Sequence, residues 1–176
     1  APGGKGSLIA HRAPAANILS VDNDPKRLEL VKDTIKRQNI DNLNILCTDM
    51  TTGQLPISNK ILIDVPCSGT GVINRRVDIK WKRTQEEIDI VRKVQYRIID
   101  NVSKYLKKDG ILVYSTCSIE SEENELLIEE FLNKHKFVVE DASDFVNKDI
   151  VKKGAINNLP GEFDMDGGYA VRLRKL

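Results

Sequence analysis

The sequence lacks long apolar runs, has few histidines and carries little excess charge. No stretch of its 176 residues approaches the length of a membrane span, so we expect neither a membrane segment nor a secretory signal. With two histidines, three cysteines and no CxxC pair, a zinc site is not expected, and we expect no metal. The net charge of +1 excludes a bulk attraction to nucleic acid, so any basic surface must be local.

The cysteines, Cys47, Cys67 and Cys117, lie far apart in the chain. An odd number without a signal sequence suits reduced thiols in the cytoplasm, which is the location we expect. We interpret Cys47 as a core residue. With 40% apolar and 30% charged residues, residues 1–176 are expected to form one globular domain.

Strand and helix patterns alternate along the chain. Strand patterns occupy 17–22, 43–47, 60–65 and 111–117, and helical patterns occupy 26–38, 85–106 and 122–135. Asp24 as N-cap and Pro25 at the first helical position mark the start of the first of these helices. Two late strands, 137–140 and 169–173, could pair antiparallel, and a long polar loop joins them. The alternation predicts an α/β fold with a mostly parallel sheet and helices on both faces.

A glycine-rich turn, APGGKG, occupies residues 1–6. Glycines let the backbone approach a ligand closely and adopt positive φ angles. A Walker A loop would need Ser or Thr after the lysine, and Gly6 stands there instead. Such loops normally follow a strand, so we expect the first strand of the fold to be missing from this chain. Taken alone, the turn would be better interpreted as a simple surface turn.

Carboxylates stand at the ends of three successive strand patterns, at Asp22, Asp49 and Asp64. In an open α/β sheet the carboxyl ends of the strands form the ligand edge, where a carboxylate can accept hydrogen bonds from ribose hydroxyls. Each aspartate alone could be a helix cap or a solvated turn residue. Together they predict a cofactor crevice.

Two cysteines also stand at strand ends, in DVPCSGTG (64–71) and STCS (115–118). In a doubly wound sheet the strands that end at Asp64 and Cys117 would be neighbours, so both thiols would face one cleft. The alternative is that Cys67 packs in the core as a small apolar residue, which is the commonest role of a free cysteine. Two thiols beside a nucleotide-type pocket are poorly explained by packing alone.

The motifs APGGKG, VDND, DVPCSGTG and YSTCS together resemble the Sun-type RNA 5-methylcytosine methyltransferases. The segments RRVDIKW (75–81) and DGGY (166–169) resemble most the bacterial members that act on small-subunit ribosomal RNA. The resemblance implies a Rossmann-like fold that binds S-adenosylmethionine, and an upstream RNA-binding region that we expect to be absent here. It places the cofactor contacts on Ala1, Pro2, Gly3, Gly4, Lys5, Asp22, Asp49 and Asp64.

The resemblance also implies the reaction. A methyl group passes from S-adenosylmethionine to carbon 5 of a cytosine in RNA, with 16S ribosomal RNA as the expected substrate. Cys117 is the implied nucleophile, forming a covalent adduct, and Cys67 assists product release. RNA is the expected partner, and the oligomeric state stays open.

A basic segment follows the Cys67 motif and contains Arg75, Arg76 and Lys80. Cations can neutralise phosphates, and we expect these three residues to contact RNA. An aromatic residue in such a segment could stack on an unpaired base, but we interpret Trp81 as a core residue. A solvated loop is the alternative for the cations.

Three other functions share part of this pattern. A nicotinamide oxidoreductase would use the same ribose contact, but the GxGxxG fingerprint is absent and two strand-end cysteines have no role in it. A small-molecule methyltransferase would need the cofactor half alone. A non-catalytic RNA-binding module would bind no S-adenosylmethionine.

Overall fold

A computed structural model describes residues 3–176 of the chain. The chain divides into two compact units, Ala1–Gln54 and Leu55–Leu176. The helices are α1 (Gly4–Arg12), α2 (Pro25–Gln38), α3 (Ile79–Lys82), α4 (Gln85–Ser103) and α5 (Glu125–Lys134). The strands are β1 (Ile18–Asp22), β2 (Leu43–Cys47), β3 (Ser58–Asp64), β4 (Leu106–Thr116), β5 (Phe137–Glu140), β6 (Val151–Lys152), β7 (Ala155–Asn158) and β8 (Gly168–Lys175). Short 3-10 helices occupy Thr70–Val72, Ala142–Asp144, Lys148–Ile150 and Glu162–Asp164.

The first unit is built on the parallel pair of β1 and β2, in which Asp22 lies opposite Cys47. Both α1 and α2 contact these strands. Ala10, Val31 and Leu43 are buried together between the helices and the strands. Because burial of such side chains is the main favourable term in folding, this cluster gives the first unit its own core.

Helix α2 begins where the sequence predicts it. The Asp24 carboxylate accepts a hydrogen bond of 2.8 Å from the backbone N–H of Lys26, and Pro25 is the first helical residue. The helix ends at Gln38, and its C-cap Asn39 has a φ of 49°, in the left-handed region that Asn tolerates. The predicted N-cap is therefore confirmed.

Cys47 does not belong to the core, and our interpretation of it was wrong. Its side chain is exposed, and its sulfur lies 3.9 Å from the carbonyl oxygen of Asn23. Cys47 is the last residue of β2, and the chain leaves the sheet there.

The sheet of the second unit has the order β3-β4-β8-β7-β6, and β5 also pairs with β8. β3 and β4 are parallel, whereas β8 is antiparallel to β4, β5 and β7. The prediction that the two late strands pair antiparallel is confirmed by β5 and β8. The α/β class is confirmed too, with parallel pairing between the strands that end at the predicted site residues.

Two details of the second unit differ from the sequence prediction. The expected polar loop contains a hairpin of β6 and β7, whose turn places Lys153 and Gly154 at positive φ angles of 53° and 79°. Two positive φ angles in a two-residue turn suit a tight hairpin, but strands of two and four residues are too short to show a periodic pattern. The second difference is the boundary between α4 and β4. The predicted helix extends to residue 106 and the predicted strand begins at 111, whereas α4 ends at Ser103 and β4 begins at Leu106, which pairs with Ser58 of β3.

The core of the second unit is formed by side chains from the sheet and from α4 and α5. Fully buried residues include Ile99, Leu112, Tyr114, Leu127 and Phe131. Within residues 3–176, no helix combines the length and the apolar character needed to cross a bilayer.

We expect Phe131→Ala to lower the free energy of unfolding by about 3–5 kcal/mol, because truncating a buried aromatic leaves a cavity. The Phe131 side chain is fully buried, with its ring centroid 5.1 Å from that of Phe137. Leu126→Ala is the matched control on the same helix, and since Leu126 is 46% exposed its loss should be about 0.5 kcal/mol or less. Urea unfolding followed by circular dichroism measures both variants. Equal losses would contradict the packing described for α5.

Candidate active site

The two cysteine motifs begin side by side because β3 and β4 are parallel neighbours. Asp64, the last residue of β3, lies opposite Ser115 of β4. The pairing continues one residue further, where the N–H of Val65 donates to the carbonyl oxygen of Ser115 over 3.2 Å. The predicted adjacency of these strands is confirmed, and the chain leaves both strands at the same edge of the sheet.

The sulfurs of Cys67 and Cys117 lie 3.0 Å apart, within hydrogen-bond distance. Both cysteines are free thiols, and Cys67 is half-buried whereas Cys117 is exposed. The two thiols therefore converge at one place, as expected from the sequence. The alternative interpretation of Cys67, as a small apolar residue packed in the core, does not account for the contact between its thiol and that of Cys117.

The contact between the sulfurs gives the two thiols different acidities. The hydrogen bond from Cys67 lowers the pKa of Cys117 to about 7, although burial and the Asp64 carboxylate act in the opposite direction. The same hydrogen bond, followed by burial, raises the pKa of Cys67 well above its ordinary value. Cys117 is therefore the thiol that ionises near neutral pH, and Cys67 holds the proton.

Gly71 in the PCSGTG motif lies where three backbone segments meet. Its N–H donates to the carbonyl oxygen of Cys117 over 2.9 Å, and its own carbonyl accepts from the N–H of Gly167 over 2.8 Å. A Cβ at Gly71 would lie 2.2 Å from the carbonyl oxygen of Gly167, so no side chain fits. The glycine thus permits direct backbone contact between the two cysteine loops.

A cavity of about 470 Å³ opens beside the thiols. This volume lies in the range of small-molecule sites and is large enough for a nucleobase. Its polar lining consists of Cys67, Ser68, Cys117, Arg75, Arg76, Arg83 and Asp166. Two of the arginines are already engaged: Arg83 donates from Nε to the carbonyl oxygen of Ser68 over 2.7 Å, and Arg75 lies 3.1 Å from the Asp166 carboxylate. The wall of the cavity therefore carries an excess of positive charge.

Trp81 is 79% exposed, so the interpretation of Trp81 as a core residue was wrong. It lies on α3, a helix of four residues that buries only Ile79. One helical turn presents a single side chain to the core, and Ile79 takes that position. The Nζ of Lys80 lies 5.2 Å from the centre of the Trp81 ring, which places an aromatic surface and a cation together on the outside.

Of the predicted cofactor carboxylates, Asp22 and Asp64 are the last residues of β1 and β3, whereas Asp49 lies two residues beyond the end of β2. In the first unit, Asp22 is buried and accepts a hydrogen bond of 2.9 Å from the N–H of Asp24. Asp49 accepts from the N–H and the hydroxyl of Thr51, both over 2.8 Å, and these bonds lower the pKa of Asp49. In the second unit, Asp64 is exposed and accepts from the Ser115 hydroxyl over 3.1 Å. Convergence of all three on one ligand edge stays a prediction.

The glycine turn is described from its third residue onward. Gly3 has a φ of 95°, in the left-handed region, and Gly4 begins α1. A Cβ at Gly4 would meet nothing within 4 Å, so the backbone is open to approach there. Lys5 is exposed in the first turn of α1. The predicted contacts of Ala1 and Pro2 lie outside the described residues.

Two buried polar residues next to the thiols, Glu123 and Asn124, were not predicted from the sequence. Both lie in a segment that the periodic pattern assigns to a charged amphipathic helix, whereas α5 begins only at Glu125. Their position shortly after STCS is the signal that could have found them. The periodic pattern of a helix does not indicate whether polar residues just before its start are buried or exposed.

Comparison with known proteins gives a consistent family. The family model described as 16S rRNA methyltransferase RsmB/F matches residues 1–174. The ribosomal RNA small subunit methyltransferase B of Yersinia enterocolitica is 38% identical to the chain, and that of Vibrio cholerae is 37% identical. Each match covers 99% of this chain, which spans 40% of the length of the relative.

Solved structures agree with the family assignment. NSun6 from Pyrococcus horikoshii, solved with SFG, superimposes with a TM-score of 0.85 at 30% identity, over 99% of this chain and 46% of its own. A methyltransferase homolog protein from Pyrococcus horikoshii gives 0.81 at 29% identity, over 100% of this chain and 59% of its own. These likenesses confirm the Rossmann-like methyltransferase fold and the resemblance on which it was predicted.

We expect Cys67→Ala to raise the pKa of Cys117 from about 7 toward the ordinary thiol value of about 8.5, because the lowering hydrogen bond is lost. The thiolate is the reactive form, so the pH midpoint for alkylation of Cys117 by iodoacetamide should move up with the pKa. Site-resolved mass spectrometry measures this midpoint. Cys67→Ser keeps a donor at the same position and should retain part of the lowering; an unmoved midpoint in Cys67→Ala would show that Cys67 does not set the acidity of Cys117.

Proposed function

Because the chain belongs to the 16S rRNA methyltransferase RsmB/F family, we propose that it transfers a methyl group from S-adenosylmethionine to carbon 5 of a cytosine in RNA. The proposed substrate is 16S ribosomal RNA, and the proposed nucleophile is Cys117. The observation that carries the proposal is the 3.0 Å contact between the thiols of Cys67 and Cys117 at the wall of a cavity of nucleobase size. Residues 1–176 act as one catalytic domain in this proposal, and the reduced thiols suit the cytoplasm.

The first unit offers groups that fit the methyl donor. The open backbone at Gly4 lies at the start of α1, where the helix dipole favours a carboxylate. The Asp22 carboxylate at the end of β1 suits the ribose hydroxyls. The proposed cofactor contacts are Ala1, Pro2, Gly3, Gly4, Lys5, Asp22, Asp49 and Asp64. When bound there, S-adenosylmethionine supplies an electrophilic methyl group for carbon 5 of the base.

Cys117 prepares the base for this transfer. Carbon 5 of cytosine is a poor nucleophile in an intact aromatic ring, and addition of the Cys117 thiolate to carbon 6 makes carbon 5 enamine-like. A pKa of about 7 leaves the thiol about half ionised at neutral pH, against roughly 3% for a thiol of pKa about 8.5. The exposed position of Cys117 gives the base access to the sulfur.

Cys67 is proposed to act at the last step, in which the proton on carbon 5 leaves and the bond between carbon 6 and the Cys117 sulfur breaks. The pKa of Cys67 is raised by its hydrogen bond to Cys117 first and by burial second. Once Cys117 is bound to carbon 6 as a thioether, the hydrogen bond between the two thiols is lost. The pKa of Cys67 then falls, so its proton can pass to solvent. The resulting Cys67 thiolate can take the proton from carbon 5 while Cys117 leaves carbon 6 as a thiolate.

The RNA contacts are proposed for Arg75, Arg76 and Lys80. Arg75 and Arg76 line the cavity, where guanidinium groups can bind the phosphates that flank the target base. Lys80 lies on α3 beside the exposed Trp81, and an exposed indole next to a cation suits stacking on an unpaired base. A cytosine taken out of the helix stack fits this arrangement, since the reacting face is hidden in a duplex.

The first test uses RNA that carries 5-fluorocytosine, a base that blocks the final elimination. The unaltered chain should form a stable crosslink at Cys117, and Cys117→Ala should lose both the crosslink and methyl transfer while it still binds S-adenosylmethionine. Cys67→Ala should accumulate the covalent adduct on ordinary RNA, because elimination is impaired. Gel shift under denaturing conditions and peptide mapping measure these outcomes. Normal methylation by Cys117→Ala would refute the role of Cys117.

The second test concerns the RNA surface. The double variant Arg75→Ala, Arg76→Ala should weaken RNA binding and reduce the slope of log affinity against log salt by about 1.4, since each phosphate contact to a single strand contributes about 0.7. The matched control is Lys107→Ala, Lys108→Ala, which removes two exposed cations at the beginning of β4. Fluorescence anisotropy over a salt series measures both. Identical slopes for the two double variants would argue against contact at Arg75 and Arg76.

A further inference from the structure

A carboxylate is buried completely beneath the two cysteine loops. Glu123 is 0% exposed, and both of its oxygens are hydrogen-bonded. Oε2 accepts from the backbone N–H of Ser68 over 2.9 Å and from Nε2 of Gln95 over 2.7 Å, and Oε1 accepts from the hydroxyl of Ser118 over 2.7 Å. A buried carboxylate is unfavourable unless its oxygens are satisfied, so these three bonds explain how the charge is tolerated.

Two of the partners of Glu123 anchor the backbone on either side of Cys67. Ser68 follows Cys67 directly, and its N–H binds Oε2. Gln95 bridges to the other side, since its Nε2 also donates to the carbonyl oxygen of Pro66 over 2.8 Å. The backbone on both sides of Cys67 is therefore anchored to one carboxylate.

The same carboxylate reaches the second cysteine loop through Ser118, which follows Cys117. Asn124 fixes the neighbours of Cys117 further: its Oδ1 accepts from the Thr116 hydroxyl over 2.7 Å, and its Nδ2 donates to the carbonyl oxygen of Ser118 over 2.9 Å. Both loops thus meet at Glu123, whose own hydrogen bonds involve neither sulfur.

We propose that Glu123 is a positioning residue that holds the Cys67 and Cys117 loops together and so sets the 3.0 Å separation of their sulfurs. The proposal rests on the proposed function in one respect: methyl transfer through Cys117 is what this separation serves. Glu123 acts through Ser68, Gln95 and Ser118 and does not contact the reacting atoms.

The hydrogen bonds, rather than the negative charge, carry this role. The Glu123 charge raises the pKa of Cys117, but its effect is smaller than the lowering by the Cys67 hydrogen bond. Loss of the hydrogen bonds should therefore outweigh loss of the charge. In Glu123→Gln the amide oxygen can accept from Ser68 and Gln95, while the amide nitrogen donates to the Ser118 oxygen. The Ser118 hydroxyl can then turn toward the Ser68 hydroxyl oxygen, 3.0 Å away.

The experiment compares Glu123→Ala with Glu123→Gln in the full, reduced chain without RNA. Iodoacetamide alkylation of Cys117 over a pH series, read by site-resolved mass spectrometry, gives the ionisation midpoint. Glu123→Ala should move the midpoint up from about 7 toward about 8.5, which lowers the thiolate fraction at pH 7 about fifteenfold. Glu123→Gln should keep the midpoint at or slightly below that of the unaltered chain. In methyl-transfer assays the kcat of Glu123→Ala should fall by a similar factor, with the KM for S-adenosylmethionine unchanged.

The control is Glu140→Ala, which removes a carboxylate whose partners are Arg172 and Arg174, and its midpoint should equal that of the unaltered chain. If the alkylation midpoint of a folded Glu123→Ala does not move, the proposal is overturned. The proposal is also overturned if the midpoint of Glu123→Gln rises as far as that of Glu123→Ala. If circular dichroism shows Glu123→Ala to be unfolded, Ser118→Ala is measured instead. Of the three bonds to the Glu123 carboxylate it removes only the one to Oε1, together with the contacts of the Ser118 oxygen with the Ser68 and Thr70 hydroxyls and the N–H of Glu120. A smaller rise in the midpoint of that variant supports the proposal, and no rise overturns it.

The alkylation readout separates this inference from the proposed function. A raised midpoint in Glu123→Ala, together with normal RNA methylation by Cys117→Ala, would refute Cys117 as the nucleophile and leave the positioning role intact. The reverse pair of results would refute the positioning role alone.

Discussion

The parallel pairing of β3 with β4 is the constraint on which the site depends. A strand advances about 3.3 Å per residue and alternates its side chains between two faces, so a slip of one residue would turn every side chain to the wrong face. β4 lies between β3 and β8, and its side chains at Leu112 and Tyr114 are fully buried. Its register is therefore strongly specified. Asp64 consequently ends β3 opposite Ser115, and the two cysteine loops start from adjacent points.

Beyond the strand ends, polar groups rather than apolar packing determine where the sulfurs lie. The hydroxyls of Ser68, Thr70 and Ser118 lie within 3.3 Å of one another, above the buried Glu123 carboxylate. The Tyr114 hydroxyl donates to the Glu123 carbonyl oxygen over 2.6 Å, and burial raises the pKa of Tyr114, so it stays a donor at neutral pH. Hydrogen bonds are directional, and a network of satisfied bonds in a region of low dielectric allows little displacement. Such a network can hold two thiols in contact, which undirected packing would not.

The environments of the two thiols differ although their sequence motifs are similar. Cys117 is exposed and Cys67 is half-buried, so the cost of burying a charge falls more heavily on Cys67. The shared hydrogen bond then places the proton on Cys67 and lowers the pKa of Cys117. Strand ends and motifs predicted that the thiols meet. How deeply each thiol is buried depends on the surrounding chain. The wrong interpretations of Cys47 and Trp81 have the same cause, because the neighbouring segments decide whether a residue at a strand end or on a one-turn helix is exposed.

The sequence by itself determined the alternation of strands and helices, the α2 cap at Asp24 and the placement of both cysteines at strand ends, because these follow from local propensity and short-range hydrogen bonds. Tertiary structure alone decided the inward turn of Glu123 and the β6–β7 hairpin. Glu123 has its partners 5, 28 and 55 residues away in the chain. No local pattern encodes such partners. A charged residue near the start of a helix has the same neighbours in sequence whether its side chain faces water or buried hydrogen-bond donors. Only folding brings those donors close to it.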